Sequence, residues 1–335
     1  MKVIAYSIKA CEKELLIRAN HKKHDITLIS DRLTEETVSY SKGKEAVLIF
    51  SSDDLSEEVL TQLKKLGVNY IVTRSTGTDH INLDKAKQLE IKVANIPSYS
   101  PESIAEHAIT LMLSLCRNII PAHLQMLHYD FSLDNLVGST LSGKTIGVVG
   151  FGQTGQALVR ILNGFSCRII VSEIEDVKQK CIQAGAEQVT YDELLKDSDI
   201  ISFHVPLNTV THHMVNARTI DKMKDGVMLI NVSRGAVFNS IDVYNALQRD
   251  KISKLGMDVY EFENHIFFFD RSHDVIDDQL LKSFIQHSRV LLTPHQAFLT
   301  REALQIISER TIQHLDQWAS ETSAVKVDGG TQAIV

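Results

Sequence analysis

Short apolar runs alternate with charged stretches through the first hundred residues. The runs are rich in β-branched residues and cover residues 3–8, 26–29, 46–50, 70–73 and 91–94. Charged stretches with helical spacing separate them, for example residues 56–66 and 83–89, and Gly67 stands where a helix C-terminal glycine belongs. Apolar strands that alternate with helices predict a parallel sheet covered on both faces.

The pattern changes at Ser100, Pro101 and Glu102. Serine can cap a helix, proline suits the first turn, and glutamate complements the helix dipole. The helix predicted next, over residues 102–119, is apolar on several sides. We therefore expect it to be buried in a core or at a subunit interface.

The alternation of strands and helices begins again at Lys144. The candidate strands cover residues 145–149, 168–171, 200–205, 227–232, 255–259 and 290–293. Six strands with intervening helices match a full dinucleotide-binding sheet. A final helix is predicted over residues 300–318, followed by a polar tail from Ser320 that we expect to fray. The predicted fold class is α/β, with two doubly wound parallel sheets.

Composition limits the possible functions. A chain of 335 residues is natural for two domains, and 44% hydrophobic with 23% charged residues is typical of globular proteins. The net charge of −7 argues against a nucleic-acid or anionic-membrane binder, since such proteins carry a basic surface. An anionic small-molecule substrate would therefore need a local positive group.

The cysteines and apolar runs indicate an intracellular protein. Four cysteines, Cys11, Cys116, Cys167 and Cys181, form no CxxC pair, and we expect them to be buried, reduced thiols. The N-terminal apolar run is too short for a signal sequence, and no run approaches the ~20 residues of a membrane helix. The predicted location is the cytoplasm.

The sharpest local signal is a glycine-rich turn after the strand at 145–149. Gly150 would allow the tight turn, Gly152 would admit a pyrophosphate to the backbone, and Gly155 would let the helix pack on the strand. The helix beginning at Gln153 and Thr154 would offer its free N–H groups to phosphates. This pattern predicts a dinucleotide site.

Glu173 ends the second strand of this series, at roughly the 20-residue spacing at which an acidic group accepts the adenosine ribose hydroxyls. A carboxylate there would repel a 2′-phosphate, so NAD is favoured over NADP. The alternative is an ordinary surface glutamate after a strand.

Three further strand ends carry residues suited to keto-acid chemistry. They are Arg234, one of the carboxylates of Asp258, Glu261 and Glu263, and His295. A guanidinium grips a carboxylate bidentately, an imidazole gives a proton to a carbonyl oxygen near neutral pH, and a carboxylate stabilises the charged imidazole. Each residue alone could be a solvated surface group. Because ligands bind at the carboxyl ends of parallel strands, their joint placement predicts an active site.

Several sequence blocks resemble one enzyme family, the D-isomer-specific 2-hydroxyacid dehydrogenases, over nearly the whole chain. The blocks are RSTGTDHINL (74–83), YSPESIAEHAI (99–109), GKTIGVVGFGQTG (143–155), FHVPL (203–207), INVSRGAVFNS (230–240), LGMDVYEFE (255–263) and TPHQAF (293–298). The long segment between Glu263 and His295 is most like the D-lactate dehydrogenase branch.

The resemblance implies a Rossmann NAD-binding domain, residues 100–297, inserted into a flavodoxin-like substrate domain, residues 1–99 and 298–335. A cleft would separate them, and the crossings near Tyr99 and Ala297 would act as a hinge. The helix at 102–119 would belong to a dimer interface, which implies a homodimer or higher oligomer.

The resemblance also implies residue roles. Arg234 would bind the substrate carboxylate and polarise the carbonyl, and His295 would be the acid/base, paired with Glu263 rather than Glu261. The remaining substrate residues would be Thr76 and Gly77, through backbone N–H groups, with Phe50, Tyr99 and Phe298 lining the pocket. The remaining cofactor contacts would come from Val205, Pro206, Thr211, Val232, Ser233 and Asp258.

Departures and alternatives remain. Glu173 stands where aspartate is usual, and Gln296 is an uncommon neighbour of the histidine. The substrate could be pyruvate, or another 2-keto acid such as a branched-chain acid, hydroxypyruvate or phenylpyruvate; a non-catalytic NAD sensor is a third alternative.

The 14 histidines show no HExxH spacing, so no metal is predicted, and His212 and His213 are expected to be solvated on a loop.

Overall fold

The computed structural model describes residues 1–327, with side chains described through residue 321. The chain forms two compact units. Of the described residues, the first contains Met1–Ser100 and residues 300–327, and the second is Pro101–Leu299.

The first unit contains a five-stranded, all-parallel sheet. Its strands run β1 (Lys2–Ala5), β2 (Asp25–Leu28), β3 (Ala46–Ile49), β4 (Tyr70–Thr73) and β5 (Lys92–Ala94), in the spatial order β2-β1-β3-β4-β5. Its helices are α1 (Ala10–Asn20), α2 (Glu57–Lys65), α3 (Leu83–Gln88) and, from the end of the chain, α12 (Arg301–Val327). All five predicted strands are present. From β1 the chain continues to β2 at one edge of the sheet, and it then crosses to β3, β4 and β5 on the other side. The topological switch point, where the direction of the strand order reverses, therefore lies between β1 and β3.

The helices form because their apolar residues face this sheet. In α2, Val59, Leu60 and Leu63 are buried, while Glu57 and Glu58 in the first turn and Lys64 and Lys65 in the last turn complement the helix dipole. Strand β3 is buried at every position, as expected for a central parallel strand.

The final helix does not end where the sequence predicted. Helix α12 runs through the polar segment from Ser320 to Val327, so the expectation of a frayed tail was wrong for these residues. Trp318 stacks on Tyr70 with ring centroids 4.9 Å apart, and Lys92 lies 2.9 Å from Glu321. These contacts fix the helix to the sheet beyond its apolar part. The rest of the predicted tail, residues 328–335, lies outside the described residues.

The second unit contains a seven-stranded, all-parallel sheet. Its strands are β6 (Thr145–Val149), β7 (Arg168–Ser172), β8 (Glu187–Gln188), β9 (Ile200–Phe203), β10 (Val227–Asn231), β11 (Ile252–Met257) and β12 (Val290–Leu292), in the order β12-β11-β10-β9-β6-β7-β8. Its helices are α4 (Pro101–Cys116), α5 (Ile119–Leu127), α6 (Gln153–Leu162), α7 (Lys178–Gln183), α8 (Tyr191–Asp197), α9 (Ala217–Asp221), α10 (Ser240–Gln248) and α11 (Gln279–Gln286). The six predicted strands are present; β8 was missed because its two residues are polar and give no apolar run.

The helix predicted over residues 102–119 is present as α4 but ends three residues earlier, and a second helix, α5, begins at Ile119. Helix α4 ends at Cys116, whose carbonyl oxygen accepts a hydrogen bond from the Ser139 N–H at 2.9 Å, and Asn118 adopts a left-handed φ of 51° before α5 begins. The apolar face of α4 packs inside its own unit, where the side chains of Leu111 and Leu115 lie so close to Gly256 of β11 that an added Cβ would be 3.2 Å from each.

The cysteines differ in one respect from expectation. Cys116 and Cys181 are buried, Cys167 is partly buried, and all four thiols are free. Cys11 is exposed, because it lies on the solvent side of α1, so its predicted burial was wrong. Among residues 1–327, no helix has the length and apolar character needed to cross a membrane.

Candidate active site

The predicted site residues of the second unit lie at one edge of its sheet, where six neighbouring strands end. His295 follows β12, Asp258 follows β11, and Arg234 follows β10. The glycine turn follows β6, and Glu173 follows β7. Because β7 and β9 flank β6 on opposite sides, the switch point of this sheet lies at the glycine turn, where open α/β sheets bind their ligands.

The glycine turn has the shape that a dinucleotide requires. Gly150 has a φ of 94°, and a Cβ there would lie 2.6 Å from the His204 carbonyl oxygen. A Cβ on Gly155 would lie 2.1 Å from the Gly150 carbonyl oxygen, so only glycine allows α6 to begin this close to the strand. A Cβ on Gly152 would meet nothing within 4 Å. The turn is thus packed at Gly150 and Gly155 and open at Gly152, beside the N–H groups that begin α6.

At this edge of the sheet, after β11 and β12, a histidine is paired with a glutamate. His295 Nδ1 lies 2.6 Å from Glu263 Oε1, and less than a fifth of either side chain is exposed. Glu263 Oε2 accepts a hydrogen bond from the Tyr260 N–H at 2.9 Å, which fixes the carboxylate. The Phe268 ring lies against the imidazole, with centroids 5.3 Å apart. One nitrogen of the imidazole is therefore directed at a carboxylate, which leaves Nε2 for a substrate.

Arg234 is held next to this pair through the backbone. Its Nη1 donates to the Ser233 carbonyl oxygen at 2.9 Å, and its own carbonyl oxygen accepts from Asn231 Nδ2 at 2.9 Å. Gly235 packs so tightly that a Cβ would lie 2.1 Å from the Tyr260 carbonyl carbon. The segment carrying the guanidinium therefore rests on the same loop that orients Glu263.

Residues 109–297 match the family model described as "D-isomer specific 2-hydroxyacid dehydrogenase, NAD binding domain". The D-lactate dehydrogenase of Escherichia coli is 43% identical, over 94% of this chain and 96% of that protein. The chain belongs to the D-isomer specific 2-hydroxyacid dehydrogenases. Its cofactor is NAD, because the matched model is the NAD-binding domain of this family.

Solved structures of 2-hydroxyacid dehydrogenases have the same fold. A structure described as the pyruvate reductase of Chlamydomonas reinhardtii superimposes with a TM-score of 0.90 at 35% identity, covering 96% of this chain and 97% of its own. A D-lactate dehydrogenase from Aquifex aeolicus, solved with NAD and lactic acid, has a TM-score of 0.86 at 30% identity, with 98% of this chain and 100% of that one covered.

The other predicted cofactor residues of this dehydrogenase already have protein partners. Glu173 accepts hydrogen bonds from the N–H groups of Phe151 at 2.7 Å and Ile174 at 2.8 Å. The Thr211 hydroxyl donates to the Pro206 carbonyl oxygen at 2.6 Å and is buried, so it closes the loop after β9. Val205 lies against Gly150. Contacts of these residues with NAD stay predictions.

Asp258 and Val232 are buried, and Ser233 is half-buried. The Asp258 side chain is completely buried, and Val232 is 6% exposed. Ser233 Oγ donates to Asn231 Oδ1 at 2.9 Å and helps shape the turn before Arg234. The predicted approach of Asp258 to the nicotinamide amide therefore stays a prediction, while the structure gives this carboxylate several protein partners.

The sequence reasoning did not single out His204, which follows β9 beside the glycine turn. Its Nε2 lies 2.8 Å from Ser202 Oγ, and its Nδ1 is buried without a hydrogen-bond partner among the described residues. Burial lowers the pKa of His204 to about 3. A neutral imidazole therefore supports the turn. The block FHVPL contained this residue, but only the tertiary structure shows its burial.

Of the two neighbouring histidines expected to be solvated, His212 is exposed, whereas His213 is partly buried. His213 Nε2 lies 2.5 Å from Glu261 Oε1, and the other oxygen of that carboxylate accepts from the Ser240 N–H at 2.9 Å. The expectation was wrong for His213 because Glu261 turns toward this loop. Among residues 1–327, no group of three or more His, Cys, Asp or Glu side chains is arranged to hold a metal ion.

The predicted substrate residues are divided between the two units. Phe298 lies in the second unit, and it is half-buried. The loop with Thr76 and Gly77 follows β4 in the first unit, where Thr76 Oγ1 donates to the Ile96 carbonyl oxygen at 2.8 Å and Ser75 Oγ donates to the Gly77 carbonyl oxygen at 2.8 Å.

The predicted aromatic substrate residues of the first unit are Phe50 and Tyr99. Phe50 directly follows β3 and is 8% exposed, with the Arg74 guanidinium 5.9 Å above its ring. Tyr99 is half-buried near the end of this part of the chain. Phe50 and the loop of Thr76 thus follow neighbouring strands, β3 and β4.

Proposed function

We propose that this protein is a D-lactate dehydrogenase that reduces pyruvate with NADH and runs in reverse with D-lactate and NAD. The observation that carries the proposal is the pairing of His295 with Glu263 at the same sheet edge as Arg234. We further propose that the second unit binds NAD and that the first unit supplies most of the substrate contacts.

The residues around the glycine turn fit NAD. The open side of Gly152 would receive the pyrophosphate, the first N–H groups of α6 would hydrogen-bond to it, and Glu173 would accept the ribose hydroxyls. When bound as NADH, the cofactor supplies the hydride that the keto carbon accepts.

The positive group that an anionic substrate needs is Arg234. Its guanidinium would bind the keto-acid carboxylate in a bidentate manner and polarise the carbonyl oxygen. The N–H groups of the loop at Thr76 and Gly77 would share the carboxylate. Since the whole chain carries a net charge of −7, this local cation is required to bind an anion.

His295 would act as the proton donor. Its Nδ1–H points at Glu263, so Nε2 is the nitrogen that can give a proton to the carbonyl oxygen during reduction and take it back during oxidation. Glu263 stabilises the charged imidazole through a charge-assisted hydrogen bond and selects its orientation. Reduction therefore needs the imidazolium, and oxidation needs the neutral ring.

The first test is NADH absorbance at 340 nm with pyruvate, followed by chiral analysis of the product. Consumption of NADH with D-lactate formed supports the proposal. Turnover only with a bulkier 2-keto acid would keep the mechanism and change the substrate. Absence of turnover with every 2-keto acid, despite NADH binding, would refute it and favour an NAD sensor.

A matched pair of variants tests the acid. His295 and His21 both have a left-handed backbone, with φ of 54° and 45°, and asparagine tolerates this conformation. His295→Asn should lower turnover by roughly 10²–10⁴-fold while NADH affinity is kept. His21→Asn, on an exposed turn after α1, should leave turnover unchanged. Near-normal turnover of His295→Asn would exclude this residue as the acid.

A homodimer is part of the proposal, with an interface different from the helix that the sequence indicated. The apolar face of helix α4 packs within its own unit, whereas exposed apolar side chains are concentrated just after it. These are Ile119, Ile120, Leu124, Met126, Leu127, Tyr129, Phe131, Leu133 and Val137. Such a patch is typical of a protein interface. Sedimentation of the wild type and of Leu127→Glu tests it; a monomeric wild type would refute the dimer.

A cytoplasmic location stays the prediction made from the sequence.

A further inference from the structure

The turn that carries His295 is organised around the buried carboxylate of Asp258. Asp258 Oδ1 accepts from the Gln296 N–H at 2.8 Å, and Oδ2 accepts from the Ala297 N–H at 2.7 Å. The Asp258 carbonyl oxygen accepts from the His295 N–H itself, also at 2.7 Å. Three successive amides of the turn are therefore bound by one residue at the end of β11.

This binding matters because His295 has an unfavourable backbone. A φ of 54° is in the left-handed region, which costs free energy for residues other than glycine, although asparagine, aspartate and histidine adopt it more often than most. At His295 the three hydrogen bonds to Asp258 stabilise this conformation of the turn. The direction of the imidazole toward Glu263 thus depends on the contacts of Asp258.

Two more residues complete the group, and hydrogen counting fixes their roles. Thr293 Oγ1 lies 2.6 Å from Asp258 Oδ1 and 2.9 Å from His107 Nε2. The carboxylate can only accept, so the single hydroxyl hydrogen of Thr293 is donated to it. The hydroxyl oxygen must then accept from His107, which places a hydrogen on His107 Nε2. That hydrogen also lies close to Asp258 Oδ1, since His107 Nε2 is 3.4 Å from this oxygen.

We propose that His107 on α4 and Thr293 are positioning residues that act through Asp258 to hold His295 in its productive conformation. This inference rests on the proposed function, in which His295 is the acid. Neither His107 nor Thr293 needs to contact substrate or NAD. His107 donates a hydrogen bond to Thr293, and Thr293 donates one to Asp258, so these bonds connect α4 to the turn that carries His295. A helix outside the strand-end loops therefore takes part in positioning the proton donor.

The variants are chosen to remove single hydrogen bonds. Thr293→Val keeps the shape of the side chain and removes its hydroxyl. Thr293→Ser keeps the hydroxyl and removes only the methyl group. His107→Phe removes the donor and keeps a planar ring in a side chain that is mostly buried. The control is His123→Phe on the exposed side of α5. Each variant is first checked by thermal melting and by NADH titration.

We expect Thr293→Val and His107→Phe each to lower kcat for keto-acid reduction by roughly 3- to 10-fold, with NADH affinity unchanged. The double variant should be little worse than either single one, because both break the same chain of hydrogen bonds. Thr293→Ser and His123→Phe should keep wild-type kcat. Unchanged kcat in both single variants, or a double variant whose losses simply multiply, would overturn the proposal.

A measurement without turnover separates this inference from the proposed function. The imidazole Cε1–H signal of His295 in the NMR spectrum of the cofactor-free protein is assigned by its loss in His295→Asn. It should move in Thr293→Val and His107→Phe and stay in place in Thr293→Ser. If wild-type protein reduces no 2-keto acid, the proposed function fails whatever this signal does. If the signal is the same in all variants, the positioning role fails even where turnover is normal.

Discussion

Gly152→Ala should weaken NADH binding without harming the fold. Gly152 has φ −65° and ψ −170°, which alanine adopts freely, and a Cβ at this position would meet nothing within 4 Å. Replacing glycine at a compatible position stabilises a protein by about 0.4–1 kcal/mol through the unfolded chain. Because Gly152 is the N-cap of α6, where alanine is less favourable than glycine by a similar amount, the melting temperature of the free protein should change by only a few degrees.

The cost should appear only when the cofactor binds. The open side of Gly152 is where the pyrophosphate should approach the N–H groups at the start of α6. An extra methyl group in a close-packed contact costs about 1–3 kcal/mol, so the Kd for NADH should rise about 5- to 150-fold. The Kd is measured by the quenching of protein fluorescence or by calorimetry, next to a melting curve of the free protein.

The matched control lies at the other end of the same helix. Gly164, in the turn that follows α6, also has nothing within 4 Å of an added Cβ. Gly164→Ala should leave the Kd for NADH unchanged. If Gly152→Ala binds NADH within twofold of wild type, the pyrophosphate does not approach this glycine, and the interpretation of the turn is wrong.

Three further predictions concern the cofactor, the first unit and pH. Glu173→Gln removes the charge that should repel a 2′-phosphate, so the ratio of kcat/KM for NADPH to that for NADH should rise about 10-fold; a constant ratio in steady-state kinetics would contradict the ribose assignment. Arg74→Met removes the buried partner of Glu12, whose carboxylate lies 3.3 Å from Arg74 Nε, and should lower the free energy of unfolding by about 3–5 kcal/mol in denaturant titrations; an unchanged midpoint would show that the pair contributes nothing. Burial lowers the pKa of His24, so the unfolded chain takes up a proton that the folded one resists, and stability should fall as the pH drops below about 6.5. His24→Gln should reduce this dependence, measured as the unfolding midpoint at pH 8 against pH 5.5; an equal dependence in the variant would exclude His24 as its source.

Much of the fold could be predicted because the signals are local. Every candidate strand is present, since an apolar run rich in β-branched residues needs only burial on both faces to become a parallel strand. The glycine turn could be predicted for the same reason: the three glycines and the strand before them are contiguous in sequence. Strand β8 and the end of α12 could not, because two polar residues and a polar helix end are held by partners distant in sequence, such as Lys92 for Glu321.

The sequence by itself determined which residues stand at the strand ends: the glycine turn, Arg234 and His295, together with two candidate glutamates. The residues alone left two glutamates open, and the family resemblance favoured Glu263 over Glu261. The tertiary structure places Glu263 beside His295 and Glu261 beside His213, because two acids separated by one residue leave a loop in directions that its packing sets. It alone showed the left-handed backbone of His295. The sequence does not predict this conformation at His295, because the contacts that stabilise it there come from Asp258, which is distant in sequence.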